Sequence, residues 1–380
     1  MMKKVLLGTS AIVGASVLLA APVWAAEKPK LEMSGYLRFE AWGVDQDAVV
    51  GRSNQGVAFE MDDAEIHFKG SAVADNGLTY GFKVEMQEGG SDGSSGYDEA
   101  GVFLSGGWGR LDLGSDDAVH NNYKMGAYAI SADKDGAWDG NNLFSSAGNA
   151  AFIGTDFFGG DDANKITYTT PSFGGFNVGV SYTPNTEASM NSGYAAEVGS
   201  TSTAFLNGGN GNMNNQVGVG AQYKATFSSV AVEATARYAR AEYQGYSVER
   251  DDAEAYGLGA KVGFMGFEVA GSWQHLGDSG LTAAQKALGN DVGQWWDIGV
   301  AYGTGPYKVS AIYMQSEAND GTVAGTEDDE VSYFQVGFGY AAAPGLDLYA
   351  AYQYVDLDNG GTTTNDNEAN LFLVGTQVSF

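Results

Sequence analysis

The sequence predicts an all-β fold, a transmembrane antiparallel β-barrel of about 16 strands with a long inward-folded constriction loop. Apolar and polar residues alternate with a period of two through most of the chain, which is typical of β-strands. Short turns alternate with long polar loops between these strands. Alternation alone would also fit a soluble sandwich, but short turns at one end and long loops at the other are typical of outer-membrane barrels.

Composition limits the possible functions. The chain has 380 residues, a net charge of -28, 56 glycines and no cysteine, so no disulfide framework stabilises it. The strong negative charge argues against a nucleic-acid surface. No segment after the first 25 residues has the run of about 18 apolar residues that a transmembrane helix needs.

The N-terminal segment has the pattern of a secretory signal. Lys3 and Lys4 precede an apolar run from Val5 to about Ala21, and small residues follow Pro22 up to Ala25. The alternative is an uncleaved membrane anchor. We predict a cleaved signal peptide over residues 1–25 and a single barrel domain over residues 26–380.

The first strand shows the alternation clearly. Leu31, Met33, Leu37 and Phe39 share one face, and polar residues including Arg38 occupy the other. The same pattern recurs over residues 77–87, 217–227 and 267–274. Aromatic residues near strand ends predict two girdles at the membrane interfaces. Those beside the long loops are Trp42, Trp273 and Trp296, and those beside the short turns include Trp108, Phe176, Phe264, Phe267, Tyr302, Tyr307 and Tyr340.

The longest interruption of the strand pattern runs from Ser115 to Asn164. It contains eight aspartates and two lysines and shows no sustained period. Structureless loops of this length are uncommon within compact domains and are often functional. We therefore predict that residues 115–164 fold into the barrel and narrow a pore.

Three stretches resemble the general diffusion porins of proteobacterial outer membranes. Phe380 ends the chain after alternating apolar residues, Asn164 to Tyr182 resembles the strand-turn-strand after the constriction loop, and Gly101 to Asp117 resembles the segment before it. The resemblance implies a sixteen-stranded homotrimer in the outer membrane of a Gram-negative bacterium. It also implies passive diffusion of small hydrophilic solutes and ions, with no catalytic residue and no required cofactor.

In porins of this type, basic residues on the barrel wall face acidic residues on the inward loop. The candidates on the acidic side are Asp116, Asp117, Asp133, Asp135 and Asp139, and those on the basic wall are Arg38, Lys69, Lys83 and Arg110. Two simpler interpretations remain open: the aspartates are solvated loop charges, or the basic residues are structural partners of lumenal carboxylates. The acidic excess predicts weak cation selectivity.

Other functions and ligands are also considered. The oxygen-rich stretch from Asp133 to Asn142 makes calcium on the long loop an optional ligand, although it departs from the EF-hand pattern. Aromatic loop residues would support a substrate-specific channel for sugar-type solutes; they are Tyr123, Tyr128, Trp138 and Phe144. An outer-membrane hydrolase and a secreted β-rich adhesin are the remaining alternatives. The three scattered histidines, His67, His120 and His275, do not suggest a zinc site.

Overall fold

The computed structural model describes residues 28–47, 55–87, 96–134, 157–158, 162–186, 213–243, 248–319, 328–358, 360 and 366–380. Sixteen antiparallel strands form a closed barrel in which each strand pairs with its neighbours in sequence. The strands are β1 (Glu32–Gln46), β2 (Gln55–Val73), β3 (Thr79–Gln87), β4 (Gly96–Gly106), β5 (Gly109–Ser115), β6 (Asn164–Thr169), β7 (Phe176–Asn185), β8 (Met213–Phe227), β9 (Val230–Tyr243), β10 (Ala253–Phe264), β11 (Phe267–His275), β12 (Asp291–Thr304), β13 (Tyr307–Asn319), β14 (Asp329–Ala343), β15 (Leu346–Asp358) and β16 (Asn367–Ser379). The helices are α1 (Val119–Asn122), a 3₁₀ helix (Ala127–Ile130) and α2 (Ala283–Leu288).

The two end strands close the barrel. β1 pairs with β16 in a register that runs from Tyr36 opposite Ser379 to Gln46 opposite Ala369. Beyond the strand end, the backbone N–H of Gly35 donates to the carbonyl of Phe380 at 3.1 Å. Closure leaves no unpaired strand edge, so the predicted fold class is confirmed.

Connections alternate in length as the sequence predicts. Residues 265–266 join β10 to β11, and Met265 and Gly266 have φ values of 50° and 87°. Two consecutive positive φ values give a tight hairpin whose twist matches that of the flanking strands. Residues 228–229 likewise join β8 to β9, whereas β9 and β10 are separated by residues 244–252.

The faces of the strands follow the predicted alternation with one correction. Leu37 and Phe39 are exposed on the outside, and Glu40 is buried inside. Trp42, which we predicted in the outer girdle, is 1% exposed and donates its indole N–H to Glu40 at 3.0 Å. That prediction is wrong because Trp42 has the same strand parity as Arg38 and Glu40, and this parity turns its side chain inward. Trp296, by contrast, is exposed on the outer face.

Part of the barrel interior is apolar. Buried side chains on the inner face of β1 and of β12 to β16 form one cluster, which includes Trp42, Trp295, Ile312, Met314, Tyr333, Val355, Leu357, Leu371 and Leu373. The sequence signal for this cluster is a short run such as Leu371 to Val374, in which both faces are apolar. None of the helices within the described ranges is long and apolar enough to cross a membrane.

Candidate functional site: the lumen and its inward loop

The segment between β5 and β6 lies inside the barrel. We call residues 116–163 the inward loop, of which the structure describes residues 116–134, 157–158 and 162–163. Its helix α1 packs on β7, β8 and β9, and its 3₁₀ helix packs on β11, β12 and β13. The described part of the loop therefore follows the inner wall across much of the circumference.

Glycines on the inner face of the barrel make this close approach possible. A β-carbon on Gly220 would lie 2.5 Å from the ring of Tyr123, and one on Gly259 would lie 2.4 Å from the carbonyl oxygen of Met125. Distances this short are not found for real side chains, so only glycine fits. We call this surface the glycine wall; its members are Gly179, Gly218, Gly220, Gly259, Gly299, Gly337 and Gly339.

Polar side chains of the wall hold the loop backbone. Asp297 on β12 is buried and accepts the backbone N–H of Ala127 at 2.6 Å, and Ser272 also donates its hydroxyl to this carboxylate. Further along, the backbone N–H of Ala132 donates to the hydroxyl oxygen of Ser310 at 2.9 Å. These bonds satisfy loop amides that would otherwise be buried without an acceptor.

The predicted site residue Asp133 lies against the wall and is 5% exposed. It accepts the hydroxyl of Ser131 at 2.6 Å and the amide N–H of Gln335 at 2.5 Å. Burial raises the pKa of Asp133 from 3.8 to about 7. The next residue, Lys134, pairs with Asp347 on β15 at 3.0 Å. Within the predicted calcium stretch the structure describes Asp133 and Lys134, and both contact other protein side chains.

The inward loop contains a buried, neutral histidine. His120 on α1 is 0% exposed, and its ring stacks on Phe157 at a centroid distance of 5.8 Å. Neither ring nitrogen has a hydrogen-bond partner among the described residues. Burial and the nearby positive charges of Arg237 and Lys165 lower the pKa of His120 to about 3, so it stays uncharged at neutral pH.

The inner face of β1 to β5 differs from the glycine wall, and we call it the charged wall. Its carboxylates outnumber its basic residues among the described positions. The acidic members are Glu40, Glu60, Asp62, Asp63, Glu65, Glu85, Glu99 and Asp112, and the basic members are Arg38, Lys69, Lys83 and Arg110. Sequence reasoning had named these four basic residues.

A β-bulge arranges the first ion pairs on the charged wall. The pairing of β1 and β2 shifts between Arg38 and Phe39, so that Asp62 and Asp63 both lie beside Arg38. The guanidinium of Arg38 is 2.5 Å from Asp62 and 3.8 Å from Asp63. One positive charge thus serves two carboxylates.

Lys83 on β3 lies close to three carboxylates. Its ammonium contacts Glu99 and lies 3.6 Å from Glu85 and 3.4 Å from Asp116 at the root of the inward loop. The Lys83–Asp116 pair is a contact between the predicted basic and acidic sets. Lys83 is also a partner of the wall carboxylates Glu85 and Glu99, so the second interpretation of the basic residues applies to it as well.

The remaining predicted site residues are dispersed. Arg110 pairs with Asp112 at 2.6 Å and lies over the ring of Phe103, and Lys69 is exposed on β2. Asp117 follows Asp116 and donates its backbone N–H to the Asp116 carboxylate at 2.9 Å. Asp135 and Asp139 lie outside the described residues, as do Trp138 and Phe144.

Sequence reasoning missed the anchors of the inward loop. Asp297 has the inward parity of β12. An acidic loop predicts basic partners on the wall, so the sequence does not indicate that a carboxylate holds the loop. The glycine wall left a visible signal, since inward glycines occur in pairs at alternate positions such as Gly218 and Gly220. An inner face without side chains indicates that another part of the chain lies on it.

Comparison with known proteins gives a consistent result. A family model described as Gram-negative porin matches residues 8–360. Outer membrane porin protein 32 of Delftia acidovorans is 28% identical over 58% of this chain and 61% of that protein. A monosaccharide porin of a Halomonas species is 24% identical over 95% of this chain and 81% of that protein. A solved structure described as an anion-selective porin from Comamonas acidovorans superposes with a TM-score of 0.63 and 18% identity, covering 93% of this chain and 100% of that chain.

Proposed function

This chain belongs to the Gram-negative porin family, and we propose that it forms a water-filled channel for passive diffusion of small hydrophilic solutes and ions. Family and fold indicate an outer-membrane channel rather than an enzyme. The observation that carries the proposal is the course of the inward loop, which lies inside the barrel on the glycine wall. A segment inside the barrel reduces the cross-section available to solutes, and the charged wall supplies a polar surface for them.

Liposome swelling tests diffusion directly. The purified protein is placed in vesicles, and swelling is followed in solutions of neutral sugars of increasing size. Passive diffusion predicts rates that fall steadily with solute size and rise linearly with concentration. Absence of swelling from folded barrels would contradict the proposed channel.

We further propose a weak preference for cations. The support is the excess of carboxylates on the charged wall, where Arg38 and Lys83 are each shared among several acids. Fixed negative charge along a narrow aqueous path concentrates cations and repels anions. The Comamonas structure is described as anion-selective, but its low identity to this chain carries the fold alone. Selectivity here depends on this chain's own wall residues, and a reversal potential measures it.

The substrate-specific alternative gains no support from Tyr123, whereas Tyr128, the other described aromatic residue of that set, is half-buried. Tyr123 is buried against Gly220 and so offers no free ring face to a sugar. The same swelling assay separates the two functions, because a specific channel gives saturable flux for its own solute. The Halomonas relative's name makes monosaccharides the first solutes to try.

Three assembly features belong to the same proposal. We expect cleavage after Ala25, a mature domain over residues 26–380 and a homotrimer surrounded by outer-membrane lipid. The support for the trimer is the resemblance to trimeric porins. Mass spectrometry of the mature N-terminus tests the cleavage, and light scattering of the detergent-purified protein tests the trimer. We also propose that the channel needs no cofactor, which conductance measured in the presence of chelator tests.

A further inference from the structure

The geometry points to a binding site for a transition-metal dication, with zinc as the best match, formed by Glu65, His67 and Glu85 on the charged wall. One ligand atom from each residue lies within 4.8 Å of those from the other two. The histidines alone do not suggest a zinc site in the sequence. Glu65 shares a strand face with His67, and strand pairing adds Glu85, which the sequence does not visibly connect with His67.

The barrel backbone positions the three side chains. Glu65 and His67 are two residues apart on β2 and therefore share the inner face, and Glu85 on β3 lies directly opposite His67. The imidazole Nε2 is 2.6 Å from Glu65, and Nδ1 is 3.6 Å from Glu85. Both strands pair on each side within the closed barrel, so this arrangement rests on rigid elements.

The local charge favours a bound cation. Glu65 and Glu85 lie together on a wall where Lys83 is already shared with Glu99 and Asp116. Two carboxylates side by side repel each other unless a positive charge or a proton lies between them. A dication at this position would compensate the charge of both carboxylates.

The set of donor atoms favours zinc over calcium or magnesium. Zinc accepts imidazole nitrogen and carboxylate oxygen at about 2.0–2.2 Å, whereas calcium and magnesium prefer oxygen alone. In a tetrahedral site, ligand atoms lie about 3.4 Å apart at these bond lengths. The two histidine-to-carboxylate separations, 2.6 Å and 3.6 Å, lie on either side of that value. Glu65 and His67 are half-buried and Glu85 is buried, and a fourth ligand would be water from the lumen.

Metal binding at this position would alter conduction. The site lies on the wall that we propose to favour cations, and a bound dication reduces the negative potential there. Zinc should therefore lower potassium conductance saturably, and removal of zinc should restore it. This effect depends on the proposed channel, whereas metal binding itself does not.

Two measurements on the detergent-purified full barrel test the site. Isothermal titration calorimetry with zinc chloride measures binding, and planar-bilayer recording in potassium chloride, with and without EDTA, measures its effect. The variants are His67→Ala and the double variant Glu65→Gln/Glu85→Gln. The matched control is His275→Ala, which removes a histidine at the end of β11, outside the charged wall.

We expect one zinc per barrel in the unmodified protein and in His275→Ala. Loss of a partner in the outer shell of a metal already costs about 10–100-fold in affinity, so loss of the ligand His67 should weaken binding at least about tenfold. Equal zinc binding by the His67→Ala variant and the unmodified protein would overturn the proposal, as would no binding at all. If the barrel conducts in EDTA but binds no zinc, the site fails while the channel stands.

Discussion

The carboxylate of Asp297 accepts the backbone N–H of Ala127 at 2.6 Å, joining β12 to a residue 170 positions away in the chain. Both residues are buried inside the barrel. A buried amide without an acceptor is costly, so this pair fixes the 3₁₀ helix of the inward loop to the wall. The position of the loop, and with it the cross-section of the lumen, depends on such pairs.

The Asp297→Ala variant should loosen the inward loop. In this variant the backbone N–H of Ala127 has lost the Asp297 carboxylate as its acceptor. This loss should weaken the packing of the loop on the wall by about 1–3 kcal/mol. Single-channel records should show more frequent substates than those of the unmodified protein. Asp75→Asn, in the exposed turn between β2 and β3, is the control and should leave the records unchanged. Quiet records from Asp297→Ala would mean that other contacts hold the loop.

The glycine wall provides a matched pair of substitutions on one strand face. In Gly259→Ala the new methyl group would lie 2.4 Å from the Met125 carbonyl oxygen, whereas in Gly263→Ala the nearest atom is 3.8 Å away. Backbone cannot yield as a flexible side chain does, so Gly259→Ala should push the loop toward the barrel axis. We expect lower conductance from Gly259→Ala and unchanged conductance from Gly263→Ala. Equal conductance of both variants would show that the loop does not rest on this strand.

Acid should strengthen docking of the loop through Asp133. Burial raises the pKa of its carboxyl from 3.8 to about 7, so the docked loop favours the protonated form. Docking is therefore strongest below about pH 4, weakens as the pH rises through 7 and is constant above that. The negative charge of Glu40 adds to this shift, whereas Arg38 opposes it.

A cysteine reporter measures this dependence. The chain has no cysteine, and Ala132 beside Asp133 is buried, so Ala132→Cys should react with a thiol reagent only when the loop leaves the wall. Labelling, corrected for thiolate content, should rise between pH 5 and pH 7 and stay level from pH 7 to pH 8. Adding Asp133→Asn should make it independent of pH. A rise of the same size in both proteins would assign the effect to another group.

Strand number, turn pattern and inner faces could be predicted from sequence because each depends on local alternation. The predicted loop limits coincide with the strand ends at Ser115 and Asn164 for the same reason. The inner position of Trp42 also follows from parity, because Trp42 has the same strand parity as Arg38 and Glu40, and an aromatic ring near a strand end does not by itself indicate a girdle. Each of these features can be predicted from the residues of a single segment, without knowing which other segments lie next to it.

The contacts of the inward loop could not be predicted in the same way. Asp297 and Ala127 belong to segments whose spatial relation depends on barrel closure and on the course of the loop. The sequence predicts Asp133 as an acidic residue of the constriction, and the structure shows that its carboxylate accepts a hydrogen bond from Gln335 on β14. Charge and position in a loop indicate that an aspartate is near the pore, but they do not indicate which wall it contacts. The pairing of His67 with Glu85 likewise requires the register of β2 and β3.

We propose that the carboxylate-rich wall of the channel favours cations, and the reversal potential in a potassium chloride gradient measures this preference. The protein is measured beside Lys83→Met, which removes a cation from the charged wall, and Lys286→Met, a control on α2, outside that wall. We predict a cation-favouring potential that grows in Lys83→Met and stays the same in Lys286→Met. A potential near zero or of anion-favouring sign in the unmodified protein would show that the charged wall does not make the channel prefer cations.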